Sequence, residues 1–202
     1  MPTINNLGFL LLSASLLGAC SSPAQNEPLS RDVDTSQVTI EGVPGGVATQ
    51  VQEINAVVSA INYATSSVTL EDAQGKQHSF TASPEMINFP QLKVGDKVNA
   101  TVVLEQMVYL REPGAASEDG AAGLVAAPPA GSKPGLLVAD TVEVTAVVKV
   151  LDTKQRTATL EFADGTRKTV QVRPDVQLKD EYLNRQVVIR LSSALAIRVE
   201  PQ

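Results

Sequence analysis

Hydrophobic and polar residues alternate in several stretches of this chain, and the clearest stretch runs from Val142 to Val150. Its even-numbered positions are valine or alanine, and its odd-numbered positions are mostly polar. A period of two residues is typical of a β-strand that buries one face. The alternation resumes at 157–162 and at 170–172. We therefore predict three successive strands in this part of the chain.

The segments between and after these strands have the composition of turns. Asp164-Gly165 separates the second strand from the third and is typical of a tight hairpin, because glycine adopts positive φ without a Cβ clash. A longer connection begins at Pro174. Two short strands, 186–191 and 195–199, are predicted to close the unit.

The same pattern occurs earlier in the chain, at an offset of 90 residues. The segment 54–58 matches 144–148, 68–71 matches 158–161, and Gly75 matches Gly165. The matches continue in order through Pro84 and Pro174, which indicates an internal repeat.

Three meandering strands, a connection and two further strands form the order of a five-stranded OB-like barrel. The predicted fold is therefore all-β, with two tandem five-stranded OB-like barrels. Two alternatives remain open at this point. One is a pair of small open sandwiches, and the other is a single composite barrel with strands exchanged between the repeats.

The N-terminal region predicts a route of export. Residues 7–17 form an apolar run that is too short to span a bilayer as a helix but has the length of a signal-peptide core. The sequence that follows, Leu17-Gly18-Ala19-Cys20, resembles the bacterial lipobox, in which the cysteine receives the lipid. This resemblance implies a lipid on Cys20, and Ser21 after it resembles the outer-membrane sorting pattern. The alternative is ordinary secretion and a soluble periplasmic protein.

Composition sets the remaining boundaries of the predicted domains. Segments rich in Ser, Pro, Gly and Asp, or in Ala, Gly and Pro, show no sustained periodicity and predict flexible connections. The predicted order is a signal peptide (1–19), a flexible tether (20–48), the first barrel (49–112), a linker (113–135) and the second barrel (136–202).

Charge and aromatic content exclude one class of partner. The chain has 22 acids against 16 bases, no Trp, three Tyr and four Phe. Nucleic-acid binding needs clustered basic residues or aromatic stacking platforms, so we exclude it. Residues 140–200 carry nine acids and ten bases, and a weakly basic second barrel could contact an envelope protein or an anionic glycan.

Little in the chain predicts catalysis. There is one His and one Cys, and no G-x-S-x-G pattern occurs. We therefore expect no enzymatic activity and no cofactor. One metal-binding alternative remains, since periplasmic copper chaperones with an OB-like fold use His and Met as ligands for Cu(I). The available residues are His78, Met86 and Met107, and the predicted ligands are His78 and Met86.

Taken with the lipobox and the Ala-Gly-Pro linker, the tandem repeats containing Val-Gly-Asp-Lys-Val at 94–98 resemble a group of proteobacterial envelope lipoproteins with small OB-like barrels. The resemblance covers the signal sequence and residues 49–200. It implies a lipid-anchored protein with a non-enzymatic binding or structural role, and it supplies no catalytic residues. A periplasmic small-ligand or Cu(I)-binding protein is the alternative.

Overall fold

The computed structural model describes residues 28–112 and 119–202, and within them the chain is all-β. No α-helix occurs in these residues, and two short 3₁₀ helices, Phe89–Gln91 and Asp180–Tyr182, are present. The strands are β1 (Asp32–Val38), β2 (Gly45–Asn62), β3 (Ser67–Asp72), β4 (Gln77–Thr81), β5 (Lys97–Leu110), β6 (Gly120–Ala126), β7 (Gly135–Asp152), β8 (Thr157–Phe162), β9 (Arg167–Gln171) and β10 (Gln186–Glu200).

All ten strands belong to one antiparallel sheet. The order along it is β4-β3-β2-β5-β10-β7-β8-β9, with β1 on the first half of β2 and β6 on the first half of β7. The path of paired strands is not closed, so the prediction of two separate barrels is not confirmed. In the middle of the sheet, β5 pairs with β10 along 14 residue pairs, and this pairing joins the two repeats in one sheet instead of closing each repeat by itself.

The prediction of two short closing strands in the second repeat is wrong, because β10 runs unbroken from Gln186 to Glu200. Ser192 and Ser193, at the expected break, keep their pairing with Glu105 and Leu104 on one side. They also pair with β7 on the other side. No glycine or proline interrupts this strand, so nothing turns the backbone, and both neighbours satisfy its hydrogen bonds.

The two halves of the chain have the same elements at nearly the same spacing. Strands β2, β3 and β4 have the same lengths as β7, β8 and β9, and each begins 90 residues earlier. The pairing shifts at Val58/Ala60 in β2 and at Val148/Val150 in β7, again 90 residues apart. Gly165 has a φ of +80° in the predicted hairpin between β8 and β9. We call β1–β5 repeat 1 and β6–β10 repeat 2.

Strands also occur in the two segments predicted to be flexible. β1 lies within 20–48, and β6 lies within 113–135. Every residue of both strands is exposed. Neither sequence therefore has the alternation of apolar and polar residues by which half-buried strands are recognised. Backbone pairing with β2 and β7 holds them in the sheet. Residues 1–27 and 113–118 lie outside the described part of the chain.

Two separate hydrophobic cores pack against the sheet. Each core includes or contacts a side chain from a strand of the other repeat. Core 1 is built on β2, β3 and β5 of repeat 1 and includes Val199 of β10. Core 2 is built on β7 and β8 of repeat 2, with Leu110 of β5 packed against it. The fully or nearly buried members are Leu29, Ala56, Val58, Leu70, Phe89, Leu92, Val98 and Val199 in core 1, and Ala146, Val148 and Leu160 in core 2.

An ion-pair cluster joins the two repeats near the middle of the sheet. Glu143 of β7 binds Arg111, which follows β5, at 2.8 Å and Arg190 of β10 at 2.7 Å. Arg111 and Glu143 are largely buried, so removing one partner would leave an uncompensated charge. This cluster therefore favours a fixed relation between the repeats.

Candidate functional site: an apolar cavity beside core 2

A cavity of about 410 Å³ lies beside core 2, and Val148 and Leu160 of that core line it. Its walls come from both repeats, since the end of β5 and the start of β2 face the strands of repeat 2 across it. The walls are mainly aliphatic, and they include Val108, Leu110, Val148, Leu160, Val187 and Ile189.

The period-two pattern explains why these walls are apolar. Val108 and Leu110 are two positions apart on β5, so they share one face of the strand, and so do Val187 and Ile189 on β10. Leu110 pairs with Val187, and Val108 pairs with Ile189. The two strands thus present four aliphatic side chains side by side.

The polar side chains that line the cavity carry little net charge. They are Gln37, Gln106, Gln171, Tyr182 and Arg173, and no carboxylate is among the lining residues within the described chain. Gln37 and Gln171 are exposed, whereas Val148 and Leu160 are buried. The cavity therefore runs from an apolar interior to a rim of neutral polar groups.

Arg173 holds the loop that precedes β2 against repeat 2. Its guanidinium donates hydrogen bonds to the carbonyl oxygens of Ile40 and Val43, both at 3.0 Å, and to that of Gly45. Gly45 has a φ of +101°, and a Cβ there would overlap the carbonyl oxygen of Val108, so only glycine fits. The loop therefore closes one side of the cavity.

The charge of Arg173 is balanced by a neighbouring acid. Its guanidinium binds Asp175 at 2.9 Å, and the backbone N–H of Gly42 donates to the same carboxylate at 3.0 Å. The hydrogen bond from Arg173, and then the one from Gly42, lowers the pKa of Asp175 well below its usual value. The same hydrogen bond raises the pKa of Arg173. Both groups remain charged and paired at neutral pH.

The buried members of core 2 are all aliphatic, whereas core 1 contains a buried aromatic side chain. Phe89 is buried there, and its ring meets that of Tyr63 edge-on, with centroids 6.1 Å apart. At offsets of 89 and 90 from Phe89 repeat 2 has Leu178 and Lys179, and Thr153 stands 90 positions after Tyr63. Neither ring therefore has an aromatic counterpart at the matching position of repeat 2.

Core 1 is also covered by residues from outside its own strands. Leu29, which precedes β1, is buried in it, and the N–H of Ser30 donates to Asp72 at 2.7 Å. The loop before β7 is held by Asn88, whose amide donates to the carbonyl of Pro129 at 2.8 Å, and by an ion pair of 2.6 Å between Lys133 and Asp96. Each repeat thus holds the loop that leads into the long strand of the other.

Asp72 has an unusually low pKa. Burial raises it, but hydrogen bonds from the backbone N–H groups of Ser30, Lys76 and Gln74 outweigh burial and lower the pKa to about 2. The carboxylate therefore stays ionised and holds the segment around Leu29 in place over a wide range of pH.

The predicted lipidation site lies outside the described residues, since these do not include Leu17, Gly18, Ala19 and Cys20. The lipid anchor therefore stays a prediction.

The two residues of the Cu(I) alternative occupy different places in repeat 1. His78 is on β4, opposite Leu70, with its ring centroid 4.5 Å from that of Phe80. Met86 precedes the first 3₁₀ helix and packs against core 1. It also lines a shallow depression beside Tyr63, and His78 is not among the residues lining it. Across 28–112 and 119–202, no group of three or more His, Cys, Asp or Glu residues could hold a metal ion.

The cavity was not predicted from the sequence, although one signal for it exists. Aligning the repeats places Leu178 or Lys179 against Phe89 and Thr153 against Tyr63, so that neither ring has an aromatic counterpart. A loss of aromatic volume in one copy of a repeat indicates an unfilled core in that copy.

No family model, curated protein or solved structure matches this chain. In the part of the chain that the structure describes, no helix is long and apolar enough to cross a membrane.

Proposed function

We propose that this chain is a non-enzymatic binding protein that takes a small apolar ligand into the cavity beside core 2. One observation supports this above all: the walls of the cavity are mainly aliphatic, and no carboxylate is among its described lining residues. Its volume of about 410 Å³ lies within the usual range for small-molecule sites. An empty apolar space loses packing energy, and a bound ligand restores it.

A thermal-shift measurement with two apolar probes tests this function. 1-Decanol and naphthalene differ in shape, and a ligand that binds only the folded state raises the midpoint of unfolding. We expect at least one of them to raise it. If neither probe raises the midpoint, the binding function is overturned.

A cavity-filling variant locates the binding. Ala158 lines the cavity, and Ala158→Leu places a larger side chain in it. The control is Ala122→Leu, the same change at an exposed position of β6 that lies outside the cavity. We expect Ala158→Leu to abolish the shift and Ala122→Leu to retain it. Equal shifts in the two variants would place the binding elsewhere.

We also propose that the protein is held at the periplasmic face of the outer membrane by a lipid on Cys20. The support is the sequence Leu17-Gly18-Ala19-Cys20 at the end of an apolar run. Multiple acyl chains would make such anchoring durable, since each buried CH₂ contributes about 0.8 kcal/mol.

Cys20→Ser tests the anchor. We expect the variant to lose the lipid and leave the membrane fraction, or to remain unprocessed, while residues 28–202 keep their fold. Mass spectrometry of the mature N-terminus and membrane fractionation measure both effects, with Ser22→Ala as the control. A wild-type protein with an unmodified N-terminus at Gln25 in the soluble fraction would contradict the proposal.

The finer architecture is also a proposal. Each core is enclosed by three strands of one repeat together with parts of the long strands of the other. This arrangement is compatible with two OB-like barrels whose closing strands have been exchanged between the repeats.

A further inference from the structure

We infer that the ligand of this cavity is an aliphatic chain with an uncharged polar end. The inference rests on the binding function proposed above and specifies the chemical class of the ligand. Three features of the cavity support this inference. They are the aliphatic side chains of its walls, the charge at its rim, and the difference in burial between its apolar and its neutral polar residues.

The walls favour an aliphatic ligand over a flat aromatic one. Val, Leu, Ile and Ala predominate among the lining residues, and Tyr182 is the single aromatic side chain among those described. A planar ring system is usually held by stacking between aromatic side chains, and one ring cannot enclose it. Flexible methylene groups instead pack against methyl groups from every direction.

The charge at the rim excludes a strongly ionic end. Arg173 is the only cation among the described lining residues, and each nitrogen of its guanidinium already binds Asp175 or a backbone carbonyl. An anionic end would have to displace Asp175. No lining carboxylate faces a cationic end either.

The neutral polar groups fit a hydroxyl, ester or amide. The side-chain amides of Gln37, Gln106 and Gln171 and the hydroxyl of Tyr182 supply both donors and acceptors. Two of these glutamines are exposed, whereas Val148 and Leu160, which also line the cavity, are buried. The chain therefore enters with its apolar tail towards core 2 and leaves its polar end at the rim.

Titration calorimetry with a series of alcohols tests the class of ligand. The probes are 1-hexanol, 1-octanol and 1-decanol, each below its solubility limit, with naphthalene as the compact aromatic probe. We expect affinity to rise about fourfold for each added methylene, the factor that corresponds to about 0.8 kcal/mol. Decanoate and decylammonium at neutral pH should bind at least tenfold more weakly than 1-decanol, because a charge at the rim finds no free partner.

Two variants place the alcohols in the cavity. Ala158→Leu should abolish alcohol binding. Val170→Phe, at a half-exposed lining position on β9, should weaken it even if the first variant folds poorly. Ala122→Leu should leave the affinity unchanged.

The results separate this inference from the function on which it rests. Binding of naphthalene without the alcohols would overturn the aliphatic class and leave the apolar binding function standing. Equal affinity for 1-decanol and decanoate would overturn the uncharged end. Absence of binding by every probe would overturn both the class and the function.

Discussion

Val58 and Val148 occupy matching positions in the two repeats, and truncating each of them measures how well its core is filled. Both lie 90 residues apart beside the shift in strand pairing, and they are 1% and 3% exposed. Val58 is enclosed by core 1, whereas Val148 borders the cavity beside core 2. The same change, valine to alanine, thus meets two different surroundings.

The expected magnitudes follow from burial. Each substitution removes two carbons from the buried interior, which costs about 1.6 kcal/mol of transfer free energy. Val58→Ala also leaves a new void in a filled core, and this adds about 1 kcal/mol. Val148→Ala only enlarges a space that is already open, so its side chain has fewer contacts to lose. We expect losses of about 2.5 and 1.5 kcal/mol respectively.

Urea unfolding of the purified chain at equilibrium measures this difference, and thermal unfolding provides a second measurement. In a protein of this size, a difference of about 1 kcal/mol corresponds to roughly 2–4 °C in the midpoint of unfolding. Saturating 1-decanol should raise the midpoint of unfolding by the same amount in wild type and in Val58→Ala, since the ligand lies beside core 2. Equal losses in the two variants, or a larger loss for Val148→Ala, would refute the claim that core 2 is underpacked.

Two further predictions concern Asp72 and Arg173. Because Asp72 has a pKa of about 2 in the folded chain against an ordinary value of 3.8, its contribution to stability is complete above about pH 4 and is lost as the pH falls towards 2. Asp72→Asn should remove this part of the pH dependence in unfolding measurements, and an unchanged acid limb would contradict the assignment. Arg173→Gln should release the loop before β2, so that the N–H of Gly42 exchanges with solvent about tenfold faster, as expected for the loss of a charge-assisted hydrogen bond. Arg167→Gln, which removes an exposed ion pair with Glu161, is the control and should leave that exchange rate unchanged.

Much of repeat 2 could be predicted because its strands bury one face. The alternation around Val142–Val150 lies within β7, and the predicted strand at 157–162 has the bounds of β8. The Asp164-Gly165 hairpin is present as well. These features are local, since a strand period and a positive φ are properties of neighbouring residues.

Other features depend on contacts between distant residues, and the sequence alone could not predict them. β6 consists of Gly, Ala, Leu and Val with every residue exposed, so it lacks the alternation that marked the other strands. Whether β10 continues past Ser192 is decided by its two neighbours, β5 and β7. The cavity is lined by side chains of both repeats, which the tertiary structure brings together and no short motif predicts.

The burial of Leu29 limits how far the folded chain can move from its proposed anchor. A tether that ended at residue 48 would allow wide excursions, but Leu29 is already part of core 1. Leu29 lies nine positions after Cys20, and even a fully extended chain of that length reaches only about 30 Å. With the lipid on Cys20, Leu29 and the part of core 1 around it would stay within that distance of the bilayer surface.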